Sequence, residues 1–193
     1  MADDGMTNGV DLEGLRQVIG SVKNDPALGR SEFRASNEWI NGTHCRAHVK
    51  GFYSLGKEDD SRADTYSYDI DEPPAIMGHN VGPNPTEFAL VALSGCLTTT
   101  LVVYAAAKGY ELRSVTSHLS GDLDLQGFFG LDEAVKRGYN NVRVSFEIEG
   151  DLSEQQKHEL IALAKKYSPV FDIVSNPTHV EVGLAGEAQA EAA

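Results

Sequence analysis

The sequence predicts an α+β fold, with antiparallel β-sheets packed around one long buried central helix. Three observations lead there. Phe88 to Ala107 runs without a single charge, too long for a strand, and Asn84-Pro85-Thr86-Glu87 opens it with an N-cap, a proline at the first helical position and a capping-box acid. Several other segments alternate apolar and polar residues with the period of a strand. The order is helix, three strands, long helix, two strands, helix, strand, which does not alternate as βαβ units do.

Taken in order, Asp11 begins an amphipathic helix in which Leu12, Leu15, Val18, Ile19 and Val22 follow helical spacing, and Asn24-Asp25-Pro26 ends it. Asn41-Gly42 marks a tight turn between strands over Phe33–Ile40 and Thr43–Phe52. In the second strand Cys45, Ala47 and Val49 alternate with His44, Arg46, His48 and Lys50, giving one small apolar face and one basic face. Leu55 to Ala63 reads as a charged connector, and Tyr66, Tyr68 and Ile70 alternate as a third strand. A proline- and glycine-rich lead-in follows, then the central helix, which Gly109 stops. Glu111–Leu125 reads as a long strand, 127–138 as an insertion with a helical turn, and Val142, Val144, Phe146 and Ile148 as another strand. Ser153 and Gln156 form a capping box for a helix that Pro169 prevents from continuing. Val180, Val182 and Leu184 complete a last strand.

At 193 residues one domain is expected, with ample length for a core. We divide it into a helical extension over 1–30, a domain over 31–185 and a disordered tail over 186–193. The net charge of −13 argues against nucleic acid and against anionic membrane surfaces as partners. Two cysteines and an acidic N-terminus without a signal-like apolar segment suggest a reducing cytoplasm. The uncharged run approaches membrane-spanning length. Ser94, Gly95 and Thr98 to Thr100 dilute it and no basic cluster flanks it, so a core helix is the better reading.

Cys96 lies mid-way along that run, either as a core filler or as a guarded reactive sulfur. A thiol among hydrocarbon groups is inert unless a cation holds it as an anion. Cys96 is too deep in its helix for the N-terminal dipole to do this, so reactivity demands a guanidinium from elsewhere. Arg46, on the polar face of its strand, is the first candidate and Arg62, in the charged connector, its rival. Glu87 lies nine residues before Cys96, about half a rotation away at ~100° per residue, so it can orient a cation but not touch the sulfur. Cys45 points to the apolar face of its strand and reads as a packing residue. The histidines and Cys45 show no metal-ligand spacing, and Gly78-His-Asn-Val-Gly-Pro83 lacks the spacing and the lysine of a phosphate loop. Neither a metal nor another cofactor is expected.

The stretch Gly82-Pro-Asn-Pro-Thr-Glu-Phe-Ala-Leu-Val-Ala-Leu-Ser-Gly-Cys96 resembles the OsmC/Ohr family of osmotically induced and organic-hydroperoxide-resistance proteins. The resemblance extends through the element order from about Ser31 to Leu184. It implies an intertwined homodimer with two sites at the subunit interface. In active members a peroxidatic cysteine on the central helix, matched by Cys96, is kept ionised by an arginine that a glutamate steadies. A second cysteine on a later helix then resolves the sulfenic acid. Two departures bear on this. Ser168 stands where the family often has the resolving cysteine, and Thr86 stands where the glutamate is expected, the acid being displaced to Glu87. The resemblance therefore implies either a thiol-dependent peroxidase using one cysteine with an external thiol reductant, acting in oxidative stress defence, or a non-catalytic binding protein for a small apolar or acyl ligand. Phe88, Leu93, Phe128 and Phe129 are the expected lining of an apolar pocket.

Overall fold

The computed structural model describes residues 6–186. Met6–Thr7 (β1) and Val10–Asp11 (β2) form a small hairpin around Asn8-Gly9, both at positive φ. Asp11 then caps Leu12–Asn24 (α1), accepting from the Gly14 amide at 2.8 Å. The hairpin was not anticipated. It ties the extension to the rest of the chain, because the Asn8 side chain donates to the Tyr110 carbonyl and accepts from the Leu112 amide, both at 2.9 Å.

Two three-stranded antiparallel sheets follow. Glu32–Phe33 (β3), Phe52–Ser54 (β6) and Lys57–Asp59 (β7) make one. Ser36–Asn41 (β4), His44–Val49 (β5) and Tyr66–Ile70 (β8) make the other, with β5 in the middle. The segment read as a charged connector is thus partly a hairpin, turned by Leu55 and Gly56 at φ 50° and 81°. The expected Asn41-Gly42 turn is present, with Gly42 at φ 58°.

Pro85–Ala107 (α2) is the central helix. Asn84 Oδ1 accepts from the Glu87 amide and a Glu87 carboxylate oxygen accepts from the Asn84 amide, each at 2.8 Å, which is the capping box read from the sequence. Gly109, at φ 71°, lets the chain turn away, since this region costs a residue with a Cβ. Leu112–Asp122 (β9) and Asn141–Gly150 (β10) pair as a long antiparallel ribbon, with the short helix Leu125–Phe128 (α3) between them. Glu154–Tyr167 (α4) carries the expected Ser153/Gln156 capping box. Pro169 does end α4, but it also starts Pro169–Ser175 (α5), for which Ser168 is the N-cap. This suits a proline, whose missing amide is no loss in a first turn. The expected last strand does not form. Residues 177–184 have no regular structure, and Val180, Val182 and Leu184 are exposed. Beyond Gly186 the expected tail lies outside the described residues.

The core is one cluster, with Leu93, Leu97 and Leu101 of α2 packed against Ile148 of β10 and Leu160 and Ala164 of α4. Alternate residues of β9 and β10 (Val115, Leu119, Val144, Phe146) close over it. Burying such side chains is the main stabilising term. The central helix is not buried all round, as the sequence suggested. One stripe at i, i+4 and i+8 is sealed, while Val91, Ala92, Gly95 and Thr99 lie open in the single chain. Its principal packing partners are β9, α4 and α5, not the N-terminal sheets.

Between β8 and α2 the lead-in doubles back on itself. A Cβ added at Gly78 would lie 1.7 Å from the Glu72 carbonyl oxygen, and one at Gly82 would lie 2.0 Å from that of Asp69. These glycines serve a backbone crossing. Gly78→Ala is expected to lower the melting temperature by roughly 5 °C or more, and a thermal unfolding curve checks it.

Candidate functional site

Cys96 sits on the flank between the sealed and the open stripes of α2, partly exposed and unpaired with Cys45. It is therefore not enclosed in hydrocarbon. The two hydroxyls one turn ahead serve the backbone, since Thr99 and Thr100 both donate to the Cys96 carbonyl, at 3.2 and 2.8 Å. Among the described residues, the sulfur itself has no hydrogen-bond partner.

Glu87 is held at the helix start by its cap bonds and is exposed, as the rotation argument places it. A second acid lies nearby. Glu72 titrates above its ordinary value, first because it is partly desolvated and then because Asp71 and Glu87 add negative charge. Asp71 is 1% exposed and satisfied on every side. One oxygen accepts from the Thr43 hydroxyl at 2.6 Å and the Glu72 amide at 2.8 Å. The other accepts from the amides of His79 and Val81, at 2.9 and 3.2 Å. These donors, Thr43 foremost, hold its carboxyl far below the usual range. Asp71 thereby fastens the start of β5 and the end of β8 to the lead-in that carries α2.

Arg46 is committed to a carboxylate. Its Nε donates to Asp69 Oδ1 at 2.9 Å, and His44 Nε2 lies 2.8 Å from the same oxygen. The contact raises the guanidinium's pKa, while His44 first and Arg46 second lower that of Asp69. Arg62 has a different setting. One Nη donates to the Lys50 carbonyl at 2.7 Å, and the guanidinium lies over the Phe52 and Tyr66 rings, 4.9 and 5.5 Å from their centroids. Among the described residues no carboxylate forms an ion pair with it.

The strand register separates the two arginines. Cys45 pairs with Ile70, Ala47 with Tyr68 and Val49 with Tyr66, so these side chains share one face with Trp39. Arg46, Asp69, His48 and Ser67 share the other. Arg62, seated on Tyr66, belongs to the apolar face. That face is open in the single chain, with Trp39 72% exposed, and Cys45 is half-buried on a sheet surface rather than in the core.

Within one chain the structure does not assemble the predicted set. Cys96 and Glu87 share α2 on different sides, and neither arginine forms a hydrogen bond or ion pair with either of them. Ser168 is buried, and its hydroxyl accepts from the Phe171 amide at 3.2 Å. Of the four expected pocket residues, Leu93 lines a cavity with β10 and α5, Phe128 and Phe129 pack on each other and are exposed, and Phe88 meets the edge of Tyr68. Sequence reasoning missed His44, Asp69, Asp71 and Glu72, although three acids within Asp69-Ile70-Asp71-Glu72 at a strand end offered a signal. Among the described residues no three His, Cys, Asp or Glu side chains converge as metal ligands.

A search of curated proteins gives no significant match. Solved structures with the same fold include an OsmC-like protein from Mycoplasma pneumoniae (16% identity, TM-score 0.56, covering 74% of this chain and 86% of that one). An organic hydroperoxide resistance protein OsmC from Legionella pneumophila is similar at 14% identity and TM-score 0.53, over 75% and 90% of the two chains. An OsmC-like protein of unknown function from Vibrio cholerae is similar at 15% identity and TM-score 0.56, over 76% and 96%. The sequence profile of the family described as OsmC-like protein matches residues 78–183, more than half of the chain and all of α2. This chain belongs to the OsmC-like protein family.

Proposed function

We infer that the chain acts as an intertwined homodimer that reduces organic hydroperoxides, with Cys96 as its one peroxidatic thiol, in oxidative stress defence in the cytoplasm. The observation that carries this reading is the placement of Cys96, which is partly exposed in the single chain at the edge of the stripe of α2 that a second copy would cover. Membership of the OsmC-like family and likeness to a hydroperoxide resistance protein support it. The open stripe of α2 and the uncovered apolar face around Trp39 are the surfaces a second copy would bury.

In this reading the Cys96 thiolate attacks the outer oxygen of the hydroperoxide. An S–O bond forms as the O–O bond breaks, and the alkoxide leaves and takes up a proton to become the alcohol. With Ser168 in place of a second thiol, an external thiol attacks the sulfenic sulfur and releases water. A further thiol then regenerates Cys96 by exchange.

Arg62 of the partner subunit is the cation in this scheme. It lies on the apolar face that a second copy covers and forms no ion pair among the described residues, with Asp59 as an electrostatic neighbour, whereas Arg46 faces the other way and is paired with Asp69. An opposite charge within ~4–6 Å favours a charged form by about 1–3 pH units. Arg62→Gln is therefore expected to move the pH midpoint of Cys96 alkylation up by at least about 1, with Arg46→Gln near the parent. The reverse ranking would assign the role to Arg46. If neither moves the midpoint, thiolate stabilisation by these arginines is wrong.

A further inference from the structure

Two adjoining cavities, of about 400 and 360 Å³, run between β10, α4 and α5. They share Val142, Val144 and Phe171, and Leu93 and Leu97 of α2 contribute to their lining. Their combined size falls in the range of small-molecule sites. The charge around them is unusual for this chain. The sequence has 29 acids against 16 Lys and Arg, yet no carboxylate lines either cavity, and each includes a lysine, Lys136 in one and Lys165 in the other. Neither lysine has an ion-pair partner among the described residues. By contrast, the neighbouring cavity beside Ile148 and Ile161 has three glutamates, Glu147, Glu149 and Glu154, and its lysine, Lys157, is already paired with Glu154.

We propose that this groove binds a single-chain amphiphile with an acidic head, a fatty-acyl carboxylate in its simplest form. The alkyl chain lies along Val142, Val144 and Phe171, where burial drives binding. Lys136 or Lys165 takes the head at the rim, where an ammonium meets a carboxylate without leaving water. The lysines decide the sign of the ligand's charge, since an apolar trough alone would accept a neutral or cationic chain equally.

This site does not rest on the peroxidase reading. Titration of the full chain with dodecanoate, dodecanol and dodecyltrimethylammonium, followed by calorimetry, tests it. Dodecanoate is expected to bind at least about tenfold more tightly than either of the others. The exposed double change Lys136→Glu/Lys165→Glu is expected to remove that preference while leaving dodecanol binding and the circular dichroism spectrum unchanged. Cys96→Ser is expected to bind dodecanoate as the parent does, so a failed peroxidase reading leaves this result standing. No dodecanoate binding, equal affinity for all three probes, or binding only after removal of residues 177–193 would overturn the proposal, the last by showing that the chain's own C-terminal segment fills the groove.

Discussion

Replacing Cys96 by Ser is expected to bring hydroperoxide consumption down to the rate of the buffer and reductant alone, whereas Cys45→Ser retains the parent rate. A serine hydroxyl is not an anion near neutral pH and cannot take up the peroxide oxygen, while nothing else in the described chain offers a thiol on α2. The intermediate is equally specific. One equivalent of cumene hydroperoxide, without reductant, is expected to add a single oxygen atom at Cys96 and to leave the protein free of disulfide. Ser168, which the family resemblance matches to the resolving cysteine, offers no thiol, and its hydroxyl is already used to cap α5. Cys45 sits on the sheet beside Trp39 and Ile70. Intact-mass spectrometry before and after a sulfenic-acid trap reads this directly. Undiminished turnover in Cys96→Ser would remove the enzyme reading altogether. A Cys45–Cys96 disulfide in the parent would instead replace the one-cysteine cycle with a two-cysteine one.

What the sequence disclosed follows the range of the interactions concerned. The caps at Asn84/Glu87 and Ser153/Gln156 are satisfied within one helical turn, so three residues suffice to read them. Gly109 and Asn41-Gly42 are legible for the same reason. The Leu55-Gly56 hairpin was hidden because Leu is a rare residue at positive φ, and a charged stretch reads as a connector. Arg46 was found as a candidate but its carboxylate was not, since Asp69 is 23 residues away and arrives only through the β5–β8 register. Alternation along β5 already set Arg46 opposite Cys45, but Arg62 joins the Cys45 face only by stacking on Tyr66, which the β5–β8 register places there. Burial of α2 was overestimated because a run without charges looks the same whether or not its own chain covers it on every side.

Asp71→Asn is expected to lower the melting temperature near neutral pH by on the order of 10 °C, although it preserves size and shape. All four groups facing the Asp71 carboxylate are donors, the Thr43 hydroxyl and the amides of Glu72, His79 and Val81. An asparagine has one oxygen and one amino group. Turned one way, the amino group confronts the amides of His79 and Val81; turned the other, it can donate to the Thr43 hydroxyl but still confronts the Glu72 amide, and buried donors without acceptors are costly. Ala at this position is therefore expected to do little worse than Asn, which a purely steric role would not produce. The pH dependence has a definite sign. Because the folded state holds the Asp71 carboxyl far below its ordinary value of 3.8, the stabilisation is complete above about pH 5 and is lost as the pH falls through ~4 and below. The gap in melting temperature between parent and Asp71→Asn is thus expected to stay constant from pH 8 to 5 and to narrow steadily toward pH 3. A gap that stays flat over that acid range would mean the carboxylate's charge contributes nothing there. The lead-in would then be held by the glycine crossing at Gly78 and Gly82 and by its backbone hydrogen bonds, such as that from the Asn80 amide to the Glu72 carbonyl. If the reading is right, loosening that lead-in also frees the start of α2, and amide exchange over 72–83 is expected to quicken in Asp71→Asn at pH 7 while the α4 core around Leu160 and Ala164 stays protected.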